Sequence, residues 1–361
     1  MAGKLFIPGP TEVRKEVLEA LSKPQIGHRT QEFKDLFGSL KPGLKKIFST
    51  ENDVLISTSS GSGFWEAAIR CCVKKNVLHA VNGAFSKKWA TVSESCGREI
   101  TKIQFDSGKS VKAEEVDKAL SSGNFEAFCM VHNETSTGVA SNLEEISEVM
   151  KKHPDVLWLL DAVSSVAGIR IEVDKLGIDM CLTSSQKAFA LPPGLAISSV
   201  SEMCYKKAEQ VEGKGYYFDI LEIKKSYDKD QTPYTASIPH LYALQKQLER
   251  IEQEGLENRF KRHKEMADYT RNWIKDNGFE MFSEEGCHSD TISCGLNTKK
   301  LDFKTIKKEM AKKGYCIDSG YRKLNEKLDA EGKLNTFRVA HMGDLTLDEI
   351  KDVLSEIEKF F

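Results

Sequence analysis

Seven short strand-like runs recur through the first two hundred residues, at 53–57, 76–81, 100–105, 127–131, 156–160, 180–182 and 195–200. Helical stretches at 64–73, 87–96, 113–120 and 143–152 separate most of them, and a small-residue turn at 59–63 precedes the first. Apolar runs too short for a helix read as strands buried on both faces. Strands alternating with helices predict an α/β fold with a mostly parallel, seven-stranded sheet flanked by helices. Upstream lie a short arm at 5–10, a helix at 12–21 and a longer one within 31–48, where Pro42 predicts a kink or break. Downstream, the charged segment 206–229 reads as a long surface excursion able to reach a second subunit. A long helix beginning in 239–260 then leaves the sheet. Helices at 264–277, 303–313 and 347–360, with strand-like runs near Thr291 and Phe337, predict a smaller C-terminal α/β domain. The expected division is an arm and helix at 1–20, a large domain at 21–250 and a small domain at 251–361.

Two of the runs end in chemistry. Run 156–160 leads into Asp161, followed by Ala162-Val163-Ser164-Ser165. Run 180–182 leads through small polar residues to Lys187, and Pro192-Pro193-Gly194 then bars a helix. Open α/β sheets bind ligands at the carboxyl ends of their strands. A buried carboxylate is costly without a partner. Burial also depresses a lysine's pKa toward a neutral amine that can condense with an aldehyde. Pyridoxal phosphate asks for both groups, a lysine for its aldehyde and a carboxylate for its protonated ring nitrogen. Ser59-Ser60-Gly61-Ser62-Gly63, between a strand and a helix, offers backbone N–H groups to a phosphate.

Two look-alike motifs fail. Gly108-Lys109-Ser110 has Ile103 where a nucleotide-binding loop needs glycine. Ser184-Ser185-Gln186-Lys187 fits the Ser-x-x-Lys of acylating enzymes, but their Ser-Asp-Asn and Lys-Thr-Gly strings are missing.

Several further motifs follow in order along the chain: Pro8-Gly9-Pro10-Thr11, Gly27-His28-Arg29, Ser60-Gly61-Ser62-Gly63, His132-Asn133-Glu134-Thr135-Ser136-Thr137-Gly138, Asp161 to Ser165, Ser185-Gln186-Lys187, Pro192-Pro193-Gly194, Gln231-Thr232-Pro233-Tyr234-Thr235 and Arg338. With them the chain resembles the class V aminotransferases, the alanine/serine–glyoxylate (pyruvate) group of fold-type I pyridoxal-phosphate enzymes. The resemblance implies Lys187 as the catalytic lysine and Asp161 on the ring nitrogen. It implies the cofactor phosphate at Ser62, Gly63, Phe64 and Gln186, Thr135 near the phenolic oxygen, and Val163 under the ring. Phe85 takes the stacking position that is tryptophan in many relatives. Thr232 and Thr235 reach the partner subunit's cofactor phosphate, with Tyr234 as an alternative, so the implied assembly is a homodimer with shared sites. Arg338 is assigned the substrate α-carboxylate through its two-point fork, and Gly27 lines the substrate pocket. Arg29 or His28 is expected to bind a distal acidic group on one substrate, because Ile26 to Thr30, His132 to Gly138 and Gln231 to Thr235 look closer to the archaeal-type branch, which includes enzymes acting on aspartate and phosphoserine.

The implied activity moves the amino group of alanine, serine or aspartate to glyoxylate or pyruvate by a ping-pong mechanism. The main rival is phosphoserine with 2-oxoglutarate. A cysteine desulfurase-like lyase would need a reactive cysteine on a mobile C-terminal loop, whereas Cys316 sits in a strand-like context and Phe85 stands where histidine is common. A non-catalytic subunit of a complex would have no use for intact Lys187, Asp161 and Arg338. Net charge is −2, which favours neither nucleic acid nor an acidic interaction arm. No apolar run approaches a membrane span and the N-terminus lacks a signal-peptide core, so a cytoplasmic location is expected. The nine cysteines include no Cys-x-x-Cys pair and predict buried thiols rather than a metal site.

Overall fold

The computed structural model describes residues 3–361. The expected runs form one seven-stranded sheet in the order Asp53–Ser57, Ala196–Val200, Met180–Ser184, Leu157–Asp161, Ala127–Val131, Asn76–Val81 and Glu99–Gln104. Neighbours run parallel, except that Ala196–Val200 is antiparallel to both strands it joins. Four of the five inner strands are buried along their whole length and Asn76–Val81 is buried after its first residue, as continuous apolar runs require. The edge strand Glu99–Gln104 is largely exposed, and its charged side chains discourage pairing with another chain. The register sets Val131 opposite Asp161 and Asp161 opposite Leu182. The Ala127–Val131 and Leu157–Asp161 strands therefore end level, and Met180–Ser184 runs two residues further toward Lys187.

Several helices depart from the sequence expectation. Gln31–Phe48 runs unbroken through Pro42. Phe33, Leu36, Phe37, Leu40, Leu44 and Ile47 bind the whole length to the core. The first-turn glycines belong to a helix, Gly61–Cys72, rather than to a turn before it. The next helix, Ala84–Ser95, also starts three residues early, because the buried Glu134 carboxylate accepts from the N–H groups of Phe85 (3.1 Å) and Ser86 (3.0 Å). Half of segment 206–229 is helical. Glu202–Glu209 and Ile220–Tyr227 bury Cys204, Tyr205, Ala208, Ile220, Ile223 and Tyr227. The long helix after the sheet is two, Ile238–Glu254 and Leu256–Asp276, parted at Gly255, whose φ of +77° is open to glycine.

A second hydrophobic core gathers Phe6, Met266, Trp273, Phe303, Phe337 and Leu354. It packs beside a three-stranded antiparallel sheet of Glu280–Met281, Ile292–Leu296 and Thr336–Ala340. The N-terminal arm joins this lobe: Lys4–Phe6 pairs in parallel with Tyr315–Ile317. Among the described residues, no helix is long and apolar enough to cross a membrane.

Arg259 fastens the lobes together. It is 1% exposed and donates to the carbonyls of Ala167 (2.9 Å) and Ala188 (2.6 Å), on the loops that follow Asp161 and Lys187. Its remaining nitrogen pairs with Glu254 (2.8 Å) and the buried Asp344 (2.9 Å). Truncation leaves Asp344 buried with weakened compensation and two carbonyls unpaired. Arg259→Ala is therefore expected to cost about 3–5 kcal/mol, read as a lower urea midpoint. A change under about 1 kcal/mol, the size of an exposed pair, would contradict this assignment.

Candidate active site

The cavity at the carboxyl edge of the sheet is lined by residues from five segments, among them Ser62, Phe85, Thr135, Asp161, Val163, Gln186 and Lys187. Seven residues singled out from the sequence thus meet in one place. Lys187 follows the Met180–Ser184 strand and lies under the Pro8-Gly9-Pro10 turn, donating from Nζ to the Pro8 carbonyl. A Cβ on Gly9 would stand 2.9 Å from Lys187 Nζ, so only glycine lets the turn close over the amine. Lys187 keeps some accessible surface because it lines the cavity, but protein surrounds its amine. Desolvation, with Arg338 adding repulsion, pulls its pKa down to about 8.

Asp161 is 3% exposed. Its Oδ1 accepts from the Val163 N–H and its Oδ2 from Trp65 Nε1, each at 2.7 Å. Burial nevertheless pushes its carboxyl up to about 7, against the pull of those two donors. Thr135 Oγ1 and Ser164 Oγ share a hydrogen bond at 2.5 Å. Arg338 stands just behind, donating from Nη1 to the Thr135 carbonyl at 2.9 Å.

The site fits an organic phosphate with polar ring substituents. Ser184 Oγ, Gln186 Oε1 and Asn133 Oδ1 are buried with no partner among the described residues, and all three residues line this cavity. Buried polar atoms of this kind call for a ligand or water. Helix Gly61–Cys72 points its N-terminus here. The Gly63 N–H bonds back to Ser60 at 2.8 Å, which leaves those of Gly61 and Ser62 for an anion. A Cβ on Gly61 would lie 3.0 Å from Val163 Cγ2, so glycine permits this approach.

Other expected residues do not line the cavity. Phe64 is packed in the core and Gly63 sits against Ser59 and Phe218. Gly27 is exposed in the turn capping helix Gln31–Phe48, where Thr30 donates to its carbonyl. His28 is half-buried in that turn. Arg29 donates to the carbonyls of Thr232 and Pro233 (3.1 Å to Pro233). Thr232 and Thr235 line a separate small pocket with Tyr217 and Tyr234. Tyr234 stacks on Tyr217, ring centres 4.4 Å apart, and its hydroxyl donates to the Tyr216 carbonyl. Cys316 lies half-buried in the strand paired with the arm and does not line the cavity. A roomier groove of about 300 Å³ between helices Gln31–Phe48 and Ile238–Glu254 is apolar, with charges at its rim, and gathers no buried titratable group. Among the described residues, no cluster of His, Cys, Asp or Glu could hold a metal ion.

Sequence reasoning missed Trp65, Glu134 and Asp318. Trp65 follows Gly61 by one helical turn, so its place beside the cavity was readable once the helix start was known. Glu134 and Asp318 act through partners distant in sequence, on Phe85 and Arg338.

The aminotransferase class-V family profile matches residues 5–355. An uncharacterized aminotransferase of Methanocaldococcus jannaschii is 37% identical over 98% of this chain and 91% of its own length. The L-aspartate–glyoxylate aminotransferase of Paracoccus denitrificans is 32% identical over 95% of this chain and 87% of its own. Among solved structures, the alanine–glyoxylate aminotransferase of Nostoc sp. superposes with a TM-score of 0.92 at 25% identity, covering 100% of this chain and 95% of that one. With that match spanning both lobes and every residue of the lysine–aspartate cavity, the chain belongs to the class-V aminotransferase family.

Proposed function

We propose that this aminotransferase uses pyridoxal phosphate to pass the amino group of a small L-amino acid (alanine, serine or aspartate) to glyoxylate or pyruvate. The observation carrying this reading is a desolvated lysine, a buried carboxylate and three unpartnered polar atoms in one cavity. When bound, the cofactor would supply an aldehyde for the amino group and a ring that accepts electrons from the substrate α-carbon. Asp161 would keep a proton on the ring nitrogen. Lys187 would hold the aldehyde carbon and, once freed, take the α-proton at Nζ and return it to the neighbouring carbon. Its lowered pKa suits both directions of that transfer near neutral pH. Phe85 and Val163 would flank the ring and Thr135 Oγ1 would meet its phenolic oxygen. The helix N-terminus would hold the phosphate with Gln186, the free N–H groups of Gly61 and Ser62 facing it and Gly63 and Phe64 completing the turn. Arg338 would grip the α-carboxylate, and Gly27 would lie on the substrate side.

We read the chain as an arm (1–20), a cofactor-binding domain (21–250) and a small domain (251–361). It acts as a cytoplasmic homodimer in which Thr232 and Thr235 complete the partner's phosphate site. The stacked Tyr217–Tyr234 pair beside those threonines and Tyr216, 80% exposed, support an interface there. Arg29 reaches a distal acidic group only by giving up two carbonyls. Alanine and serine therefore fit the site better than aspartate or phosphoserine.

Steady-state kinetics test this reading. With glyoxylate or pyruvate as acceptor, double-reciprocal plots should be parallel. The kcat/KM for alanine or serine should exceed that for aspartate or phosphoserine by about tenfold or more. Intersecting lines, or turnover confined to phosphoserine with 2-oxoglutarate, would reject it.

The Asp161 shift makes a separate prediction for the cofactor-free protein. Its folded value of about 7 lies above the ordinary 3.8. Between those values the folded chain binds more protons than the unfolded chain, so stability is lost as pH rises through the folded value. The slope from one such group is at most about 1.4 kcal/mol per pH unit. Urea midpoints of wild type should fall more steeply from pH 5 to 8 than those of Asp161→Asn. Parallel profiles would contradict the assignment.

A further inference from the structure

Arg338 is held from behind by a carboxylate. Asp318, one residue past the Tyr315–Ile317 strand, accepts from Arg338 Nε at 3.0 Å and from Nη2 at 2.9 Å. This is a two-point, side-on pair, with side chains 7% and 15% exposed. The carboxylate is fixed in turn, because Asp318 Oδ1 also accepts from the Gly320 N–H at 2.7 Å. Gly320 has φ +96°, and a Cβ there would lie 2.1 Å from the Thr336 carbonyl oxygen. The turn carrying Asp318 therefore closes tightly against the strand carrying Arg338. Tyr321, next in the chain, places its ring 5.5 Å from the guanidinium and 5.9 Å from Phe85. The segment 318–321 thus spans from Arg338 to the aromatic residue of the cavity.

A guanidinium has five N–H groups arranged as two carboxylate-sized edges, Nε with Nη2 and Nη1 with Nη2. Asp318 fills the first edge. The Thr135 carbonyl takes one proton of Nη1. One proton on Nη1 and one on Nη2 remain. We propose that Asp318 is a positioning residue: it occupies the side edge of Arg338 so that the end edge is presented to the α-carboxylate of donor and acceptor alike. This rests on the reading of Arg338 as the carboxylate-binding residue. Asp318 moves no proton, so its main contribution falls on affinity; its charge also offsets part of the repulsion that Arg338 exerts on the Lys187 amine. Both half-reactions share the effect, because amino acid and oxo acid carry the same carboxylate.

The test uses the cofactor-loaded full chain with Asp318→Asn, which keeps the shape but turns an amide N–H toward the guanidinium. KM for L-alanine and for glyoxylate should rise together by about tenfold, the loss expected for one well-aligned charged hydrogen bond, with kcat within about threefold. The Kd of acetate, a bare carboxylate, measured by calorimetry, should weaken by a similar factor. Asp318→Ser, which removes both oxygens and adds no opposing donor, carries the same expectation and decides the matter if the Asn variant does not fold. KM and acetate Kd held within about twofold of wild type, or a fall in kcat alone, would overturn the proposal. Arg338→Gln separates the two layers. If it too leaves KM and acetate binding unchanged, the carboxylate reading of Arg338 fails. If it weakens both while the Asp318 variants do not, the role of Asp318 alone falls.

Discussion

A carboxylate sealed at the end of a core strand is the costly element of this fold. Asp161 is fully desolvated, and two hydrogen bonds at 2.7 Å do not restore its ordinary acidity. Much of the surrounding structure compensates for it or uses it. Trp65 brings an N–H from the Gly61–Cys72 helix, and Gly61 lets that helix come within contact of Val163. The sheet register brings Lys187's strand alongside. A ring cation placed between these groups would settle the carboxylate, which gives the cavity its chemistry. The same burial that raises the acid lowers the lysine, so a single desolvated space sets both groups for transamination.

The second lobe braces the segments that line that space. Arg259, from its first helix, reaches the loops after both Asp161 and Lys187. The N-terminal arm pairs with the far lobe and then turns back over the lysine through Pro8 and Gly9. Arg338 comes from the small lobe's sheet and stands on the Thr135 carbonyl of the large one. The site is therefore a product of lobe packing, and strain or loosening at Arg259 or the arm would be felt at the amine.

The sheet was legible because buried parallel strands leave continuous apolar runs, and Asp161 stood out as a charge at the end of one. Lys187 was legible for a similar reason, with the prolines after it forbidding a helix. Thr135, Gln186 and Arg338 carry no such local signal, and only their order within a family pattern named them. Helix starts were misread where tertiary contacts extend them. Glu134, fifty residues away, supplies the cap that begins the Ala84–Ser95 helix early. Pro42 was expected to break a helix that its buried face instead carries through. Asp318 was invisible because its partner lies 20 residues away, beyond any spacing rule, and Trp65 was missed because its place depends on a helix start that was read three residues late.

The most direct measurement is the absorbance of the purified protein supplied with pyridoxal phosphate, before and after L-alanine or L-serine is added without an acceptor. A visible band that is absent in Lys187→Ala, and that converts to the pyridoxamine form on adding the donor, is the expected result. No band with the wild-type protein, or a band that Lys187→Ala retains unchanged, would contradict the account at its centre.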